Sequence, residues 1–288
     1  MEWLNTIVQG TLLGGMYALF AIGLSLMFGV MRLVNIAHGD FIVLASYLGL
    51  VVVSTLGLSV MTGFIIVVPT MFVIGYCLQR FLLNKTLGDD ILPPLLVTFG
   101  LSIIIQNLLM EIFSSNSQKI NVGDLGFASI QIFDGLFVGT LPFIVFACAI
   151  LIVLVLQFIF YKTELGRLFR ATSDDQEAVQ LMGVNNAHVF SLAMGIAMSV
   201  VAIAGLFLAM KTNFDPSVGP ARLLYGFEAV IIGGLGSIWG TLIGGIILGV
   251  SQTIGAKIDP GFQILAGHVV FLVILIFKPR GLFPRSVD

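Results

Sequence analysis

The chain has 288 residues, of which 58% are hydrophobic and only 10% are charged, a composition typical of a membrane protein and not of a soluble domain. Its formal net charge of −2 provides no basic field, so no nucleic acid partner is expected. The sequence contains no metal-ligand spacing, no phosphate-binding loop and no paired catalytic groups. We therefore predict that the chain is not an enzyme, has no catalytic residue and binds no metal or cofactor itself.

Apolar segments of membrane-spanning length follow one another through most of the chain. They cover 7–30, 40–57, 59–79, 91–113, 137–160 and 188–210. Each approaches the roughly 20 residues that cross a hydrocarbon core about 30 Å thick, which predicts an all-α polytopic membrane protein. Because no basic stretch precedes the first segment, we expect it to be retained as a span. Cys77 and Cys148 lie within apolar segments and are expected to be packed thiols.

A polar turn, "VMRLVNIAHGDF" (Val30–Phe41), separates the first two apolar segments. Ionisable groups at membrane depth are costly and tend to face the protein interior or a transport pathway, so Asn35, His38 and Asp40 are pathway candidates. The alternative is that His38 and Asp40 form a hydrogen-bonded turn at the cytoplasmic edge. Glu111 lies near the outer end of the fourth segment, where a solvated boundary is favoured over a pathway role.

The loop 161–187 contains an unusually polar stretch, "TSDDQEAVQLMGVN". Ser173 or Asp174 is expected to cap a helix whose first turn is acidic, and Gly183 with Asn185 is expected to end it about three turns later. One apolar face of this helix comprises Ala178, Leu181 and Met182. A helix this short is marginal alone, so its apolar face needs a partner. The alternatives are packing on the protein's own spans or on lipid, although an anionic leaflet would repel the acids.

The late segment 225–256 is apolar but is interrupted by "GGLGSIWG", which predicts a broken or re-entrant helix. Backbone that leaves the helix at membrane depth must be buried in protein or line a wet cavity. We therefore expect unwound backbone here and a further set of pathway candidates. These are Glu228, Gly233, Gly234 and Gly236. Together with the turn after Val30, each half of the chain carries one interruption, which fits an inverted repeat.

Glycines at a spacing of four follow the interruption, as Gly240/Gly244 and Gly245/Gly249. Small residues at this spacing let membrane helices approach closely, so we expect these pairs to serve packing.

The number of crossings follows from the distribution of Lys and Arg, which are enriched in cytoplasmic loops. A last apolar segment is found at 262–277. If 161–187 is cytoplasmic and 225–256 crosses twice, nine of the 13 Lys and Arg residues are cytoplasmic, whereas a single crossing leaves seven. The sequence therefore predicts about eight to nine membrane segments, with the amino terminus outside and the carboxyl terminus in the cytoplasm.

Several motifs carry a resemblance to a known family. Glu177-Ala178-Val179, followed after three residues by Gly183, resembles the EAA-xxx-G loop of ABC importer permeases, with Val in the third place. "GLSLMFGVMRLVNIAHGDF", "TELGRLFRATSDDQEAVQLMGVN", "IIGGLGSIWGTLIGG" and "KPRGLF" extend the likeness over essentially the whole chain. Together they resemble the branched-chain amino acid permease family, and within it the shorter of the two permease subunits.

The resemblance implies an importer of the bacterial inner membrane, in which residues 1–288 form one transmembrane permease domain with a cytoplasmic coupling loop at 161–187. Its implied partners are a second related permease, two ATPase subunits that bind the ATP, an external solute-binding protein, the lipid bilayer and a small-molecule solute. The pathway would form at the seam between the permeases. The implied ATPase contact comprises Glu177, Ala178, Leu181, Met182 and Gly183, with Arg167 and Arg170 pairing with acids on the ATPase.

Two kinds of alternative remain open at this point. Relatives in the same family import urea, short amides, ribose and nucleosides, and the sequence does not separate these cargoes from branched-chain amino acids. In a different class, the chain would be an ion-coupled secondary transporter with Asp40, Glu111 and Glu228 as relay groups. A secondary transporter needs no partner ATPase, so the presence of one discriminates between the two classes.

Overall fold

The computed structural model describes residues 2–88, 90, 92–133 and 136–283, and this part of the chain is almost entirely helical. Its helices are α1 (Glu2–Met31), α2 (His38–Leu50), α3 (Val60–Phe81), α4 (Leu92–Phe113), α5 (Thr140–Lys162), α6 (Glu164–Asp174), α7 (Gln176–Leu181), α8 (Asn186–Lys211), α9 (Gly219–Gly233), α10 (Ile238–Ile258) and α11 (Phe262–Phe277). A π-helical turn, Val51–Thr55, extends α2. Two short antiparallel strands, β1 (Ser129–Phe133) and β2 (Leu136–Gly139), precede α5.

The predicted all-α polytopic architecture is confirmed. Within the described residues, seven helical segments are long and apolar enough to cross a membrane, and α11 is a shorter apolar helix. The interrupted segment 225–256 forms two antiparallel helices, α9 and α10, and α9 begins earlier than predicted, at Gly219. With 15 residues, α9 is too short to cross a hydrocarbon core of about 30 Å by itself. Both cysteines are free, as expected.

Glycines bring α10 close to its two neighbours. Gly240 and Gly244 lie against the backbone of α9, and Gly245 and Gly249 lie against the backbone of α1. A Cβ atom at Gly245 would lie 2.7 Å from the carbonyl oxygen of Gly14. The prediction that these spaced glycines serve packing is therefore confirmed, and each pair serves a different neighbour.

Two short helices begin in the middle of the bundle. Arg32 takes a φ of 51° and ends α1, after which residues 32–37 run back along the bundle to the start of α2. Nε2 of His38 donates to the carbonyl oxygen of Phe20 at 2.8 Å, and Phe20 lies ~16 Å by helical rise from the Met31 end of α1. The start of α9 packs against the start of α2, and its own connection comes from the opposite end of the bundle, where α8 ends.

Candidate functional site

The short helix α7 is held at its amino-terminal end by a side-chain cap. The carboxylate of Asp175 accepts hydrogen bonds from the backbone amides of Glu177 and Ala178, both at 3.0 Å. The prediction that Ser173 or Asp174 provides the cap is wrong, because α6 continues through both residues. Two helices therefore share the loop, where the sequence suggested one.

Gly183 ends α7, as predicted. Its φ of 85° lies in the left-handed region, which glycine adopts without the steric penalty of a Cβ atom. Its amide donates to the carbonyl of Gln180 at 2.9 Å, and the amide of Val184 donates to that of Val179 at 3.2 Å, the pattern of a Schellman motif. Asn185 does not help to close α7; its side chain accepts from the amide of His188 at 3.1 Å and caps α8.

Only one side of α7 is covered by the rest of the chain. Val179 is buried, and the side chain of Asn186 donates to the carbonyl of Gln176 at 2.8 Å. On the opposite side Leu181 is 90% exposed and Met182 is 82% exposed. Glu177 and Ala178 are exposed beside them, so the predicted apolar face is presented outward.

The two arginines of α6 have different surroundings. Arg167 is exposed and lies 3.3 Å from the carboxylate of Glu164, one turn earlier on the same helix. Arg170 donates to the carbonyl of Phe160 near the end of α5, and its guanidinium lies 5.2 Å from the centre of the Tyr161 ring. Arg170 therefore links α6 to α5, whereas Arg167 keeps its guanidinium accessible.

Asn35, His38 and Asp40 lie together at the start of α2, and all three are buried. Oδ1 of Asn35 accepts from the amide of Ala37 at 3.0 Å. The carboxylate of Asp40 is in the first turn of α2 and lies directly against Gly219, the first residue of α9. The amino termini of α2 and α9 therefore both lie beside this carboxylate. The turn is hydrogen-bonded, but it lies level with the middle of α1 and not at an edge of the bundle.

Glu228 lies inside the regular helix α9, so the prediction that it is on unwound backbone is wrong. Its side chain is buried, and one carboxylate oxygen bonds Nδ1 of His268 on α11. The other oxygen has no hydrogen-bond partner within the described residues. His268 is not among the residues singled out from the sequence, because nothing local marks it as the partner of a residue on another helix.

The chain leaves the helix only after Gly233, in a tight turn that joins α9 to α10. Gly234 and Gly236 have φ values of 106° and 80°, and Gly233 packs against Gly240. The amides of Leu282 and Phe283 donate to the carbonyls of Ile232 and Gly233, at 2.9 and 3.0 Å. These bonds satisfy carbonyls that a helix end leaves free, which explains why α9 stays regular to its last residue.

A cluster of polar residues that was not predicted from the sequence lies between five helices, α1, α8, α9, α10 and α11. The Tyr17 hydroxyl donates to Oε1 of Gln252 at 2.5 Å, and the Tyr17 and Tyr225 rings are 5.0 Å apart. They line a cavity of about 250 Å³ that also contains Lys211 and Arg222. In the sequence, these two cations entered only the count of Lys and Arg residues that predicts the topology. The one local sign of this cluster was Gln252, a polar residue isolated within an apolar helix.

Comparison with known proteins gives a consistent result. Residues 6–277 match the family described as branched-chain amino acid transport system / permease component. The chain is 26% identical to the high-affinity branched-chain amino acid transport system permease protein BraD of Pseudomonas aeruginosa, covering 99% of this chain and 96% of BraD. It is 25% identical to the corresponding protein LivH of Escherichia coli, with the same coverage of both chains. It is also 30% identical to the fructose import permease protein FrcC of Rhizobium meliloti, over 64% of this chain and 55% of FrcC. With a match that spans nearly its whole length, the chain belongs to the branched-chain amino acid transport system permease family and is a multi-pass membrane permease, not an enzyme.

Proposed function

We propose that this chain is the permease subunit of an ATP-driven importer that carries branched-chain amino acids across the bacterial cytoplasmic membrane. The observation that carries the proposal is α7, a capped six-residue helix that presents Leu181 and Met182 outward. Exposed apolar side chains on a short, fixed helix are typical of a surface that a second protein covers. The partner is an ATPase subunit that receives this helix in a groove.

The contacts of α6 and α7 give a route by which ATPase motion reaches the membrane helices. Ser173 Oγ donates to the carbonyl of Gly29 near the end of α1, at 2.8 Å. Gly29 in turn packs against Gly236 in the turn between α9 and α10. A displacement of the α6–α7 unit therefore acts on α1 and on the α9–α10 turn. Through α1 it reaches the first residues of α2 and α9, which lie in the middle of the bundle.

The full assembly that we propose contains a second related permease, two ATPases and an external binding protein. The mostly exposed apolar faces of α3, α4 and α5 suit lipid or the second permease. In this arrangement α7 is cytoplasmic, the amino terminus is outside and the carboxyl terminus is cytoplasmic. A reporter fused after Asp288 is expected to give a cytoplasmic signal, and an external signal would contradict this topology.

The function is tested by co-expressing the chain with its proposed partners and measuring uptake of labelled leucine, urea and ribose into proteoliposomes. We expect leucine to accumulate only when ATP is accessible to the ATPases. Preferential uptake of urea or ribose would overturn the proposed cargo. Uptake by the purified chain alone, without ATP, would overturn the importer mechanism and favour an ion-coupled transporter that uses Asp40, Glu111 and Glu228.

A further inference from the structure

The cavity beside Tyr17 lies in the half of the bundle that is remote from α7. Lys211, in its wall, is the last residue of α8, whose first residue contacts α7. Arg222 is in the first turn of α9, and Gln263 is in the first turn of α11. In the proposed orientation, the cavity is therefore on the side from which an external binding protein delivers its solute.

Among the described residues, the two cations in this cavity have no salt-bridge partner. Within the part of the chain that the structure describes, neither Lys211 nor Arg222 forms a salt bridge or a side-chain hydrogen bond. Nε of Arg222 is buried and has no acceptor among the residues that the structure describes. Leaving charged donors unpaired in such a place is costly, and a planar guanidinium is suited to bind a carboxylate through two hydrogen bonds.

The remaining walls match the other parts of an aliphatic amino acid. Leu13, Met16 and Leu208 provide an apolar wall next to the cations, against which an aliphatic side chain can pack. Tyr17 and Tyr225 also line the cavity, and their hydroxyl oxygens can accept hydrogen bonds from an ammonium group. The volume of about 250 Å³ is of the size needed for a small solute and is too small for a peptide.

We propose that this cavity is a solute subsite within the permease, in which Arg222 and Lys211 bind the carboxylate of an aliphatic amino acid. The proposal rests on the proposed function, since it identifies residues that receive the amino acid after delivery. It also places a binding position inside one subunit, bounded by five of its helices, in addition to the seam between two permeases.

The experiment measures binding of labelled L-leucine to the purified complex of both permeases and the ATPases, without the external binding protein. Leaving out that protein ensures that any amino acid bound is held by the membrane part. Two competitors separate the charged groups: 4-methylpentanoate keeps the carboxylate but lacks the amine, and L-leucinamide lacks the carboxylate. We expect 4-methylpentanoate to displace leucine and L-leucinamide to displace it at least tenfold less well.

Variants test the residues. Arg222→Gln is expected to weaken leucine binding about tenfold, because charged hydrogen bonds are lost, while Arg222→Lys keeps part of the affinity. The matched control is Lys257→Gln, which removes a cation near the same end of the bundle but outside the cavity, where Lys257 pairs with Glu2 at 3.3 Å. Lys257→Gln is expected to bind leucine like the wild type, and size-exclusion profiles establish that each variant is folded.

The outcomes separate this inference from the proposed function. An absence of leucine binding, equal competition by L-leucinamide, or unchanged binding by Arg222→Gln overturns the subsite. Displacement of leucine by phosphatidylglycerol but not by 4-methylpentanoate identifies an anionic lipid site and overturns it as well. If the complex gives one of these results and still imports leucine with ATP, only the subsite is overturned and the proposed function stands. If the wild-type complex imports no leucine, both the subsite and the proposed function are overturned.

Discussion

The interface between α1 and α10 and the short helix α7 represent opposite extremes of packing in this protein. In α1, 83% of an apolar stretch of 18 residues is buried. Glycines of α10 bring the backbones of α1 and α10 into contact. In α7, Val179 is buried whereas the other five residues are exposed. The α1–α10 interface is formed entirely within the chain, whereas the apolar side chains of Leu181 and Met182, at the end of α7, remain exposed. Substitutions in the first region should therefore affect folding, and those in the second should affect transport.

The largest effect is expected from Gly245→Leu. A Cβ atom at Gly245 would lie 2.7 Å from the carbonyl oxygen of Gly14 and 2.8 Å from the amide nitrogen of Ala18. Backbone atoms cannot move aside as a flexible side chain can, so we expect a loss of ~3 kcal/mol or more, with little folded protein recovered. The measurement is the yield of monodisperse protein and its thermal unfolding in detergent.

Gly100→Leu is the matched control, because nothing lies within 4 Å of a Cβ atom at this position on α4. It should be recovered like the wild type. A Gly245→Leu protein with wild-type yield and thermal stability would contradict the close approach of α1 and α10.

The second largest effect is expected from Leu181→Asp, which places a charge in the apolar face of α7. Because Leu181 is 90% exposed, the folded chain should keep its thermal stability. Contact with an ATPase would bury the new carboxylate at a cost of several kcal/mol, so ATP-dependent uptake should fall more than tenfold. Uptake in proteoliposomes and co-purification of the ATPase are the measurements.

Leu125→Asp provides the comparison for this change, since Leu125 is also an exposed leucine, in the loop after α4 at the opposite end of the bundle. It should leave both uptake and co-purification unchanged. Equal uptake by Leu181→Asp and the wild type would show that no partner binds the apolar face of α7.

A smaller effect is expected from Gly183→Ala. No atom lies within 4 Å of a Cβ atom here, so the cost is purely conformational and arises from the φ of 85°, at about 1 kcal/mol. The end of α7 should fray and uptake should fall severalfold, whereas Gly183→Asn should be milder because asparagine tolerates this conformation. Gly88→Ala, which also has open space but no positive φ, is the control. Identical uptake by the alanine and asparagine variants would argue against backbone strain.

The sequence predicts the parts of the fold that depend on local composition. Each apolar segment became a helix, and the glycine that ends α7 was identified because a left-handed residue after a short helix is a local requirement. The apolar face containing Leu181 and Met182 was also predicted from spacing, and the structure adds that this face is exposed. These features need no knowledge of which helices are neighbours.

The failures arise where distant segments meet. Glu228 was placed on unwound backbone because the following glycines suggested a break, but the amides of Leu282 and Phe283 satisfy the carbonyls at the end of α9. The cap of α7 was assigned to Ser173 or Asp174, yet both residues belong to α6, and the Ser173 hydroxyl bonds Gly29 on α1. The cavity containing Arg222 is formed by five helices, and no local pattern indicates such a meeting. Whether the two halves form an inverted repeat stays a prediction.

The smallest effect is expected from Arg167→Gln, and its value lies in the contrast with Arg170→Gln. Arg167 forms an exposed ion pair with Glu164, and such pairs contribute only about 0–1 kcal/mol, so thermal stability should hardly change. If Arg167 meets an acidic surface of the ATPase, uptake should fall about twofold at low salt, and the difference should disappear at high salt as charges are screened. Arg170→Gln instead removes the link to Phe160 and the Tyr161 ring, so it should lower the unfolding temperature at every salt concentration. A salt-independent loss of uptake in Arg167→Gln would indicate that Arg167 acts through packing within the chain and not through contact with the ATPase.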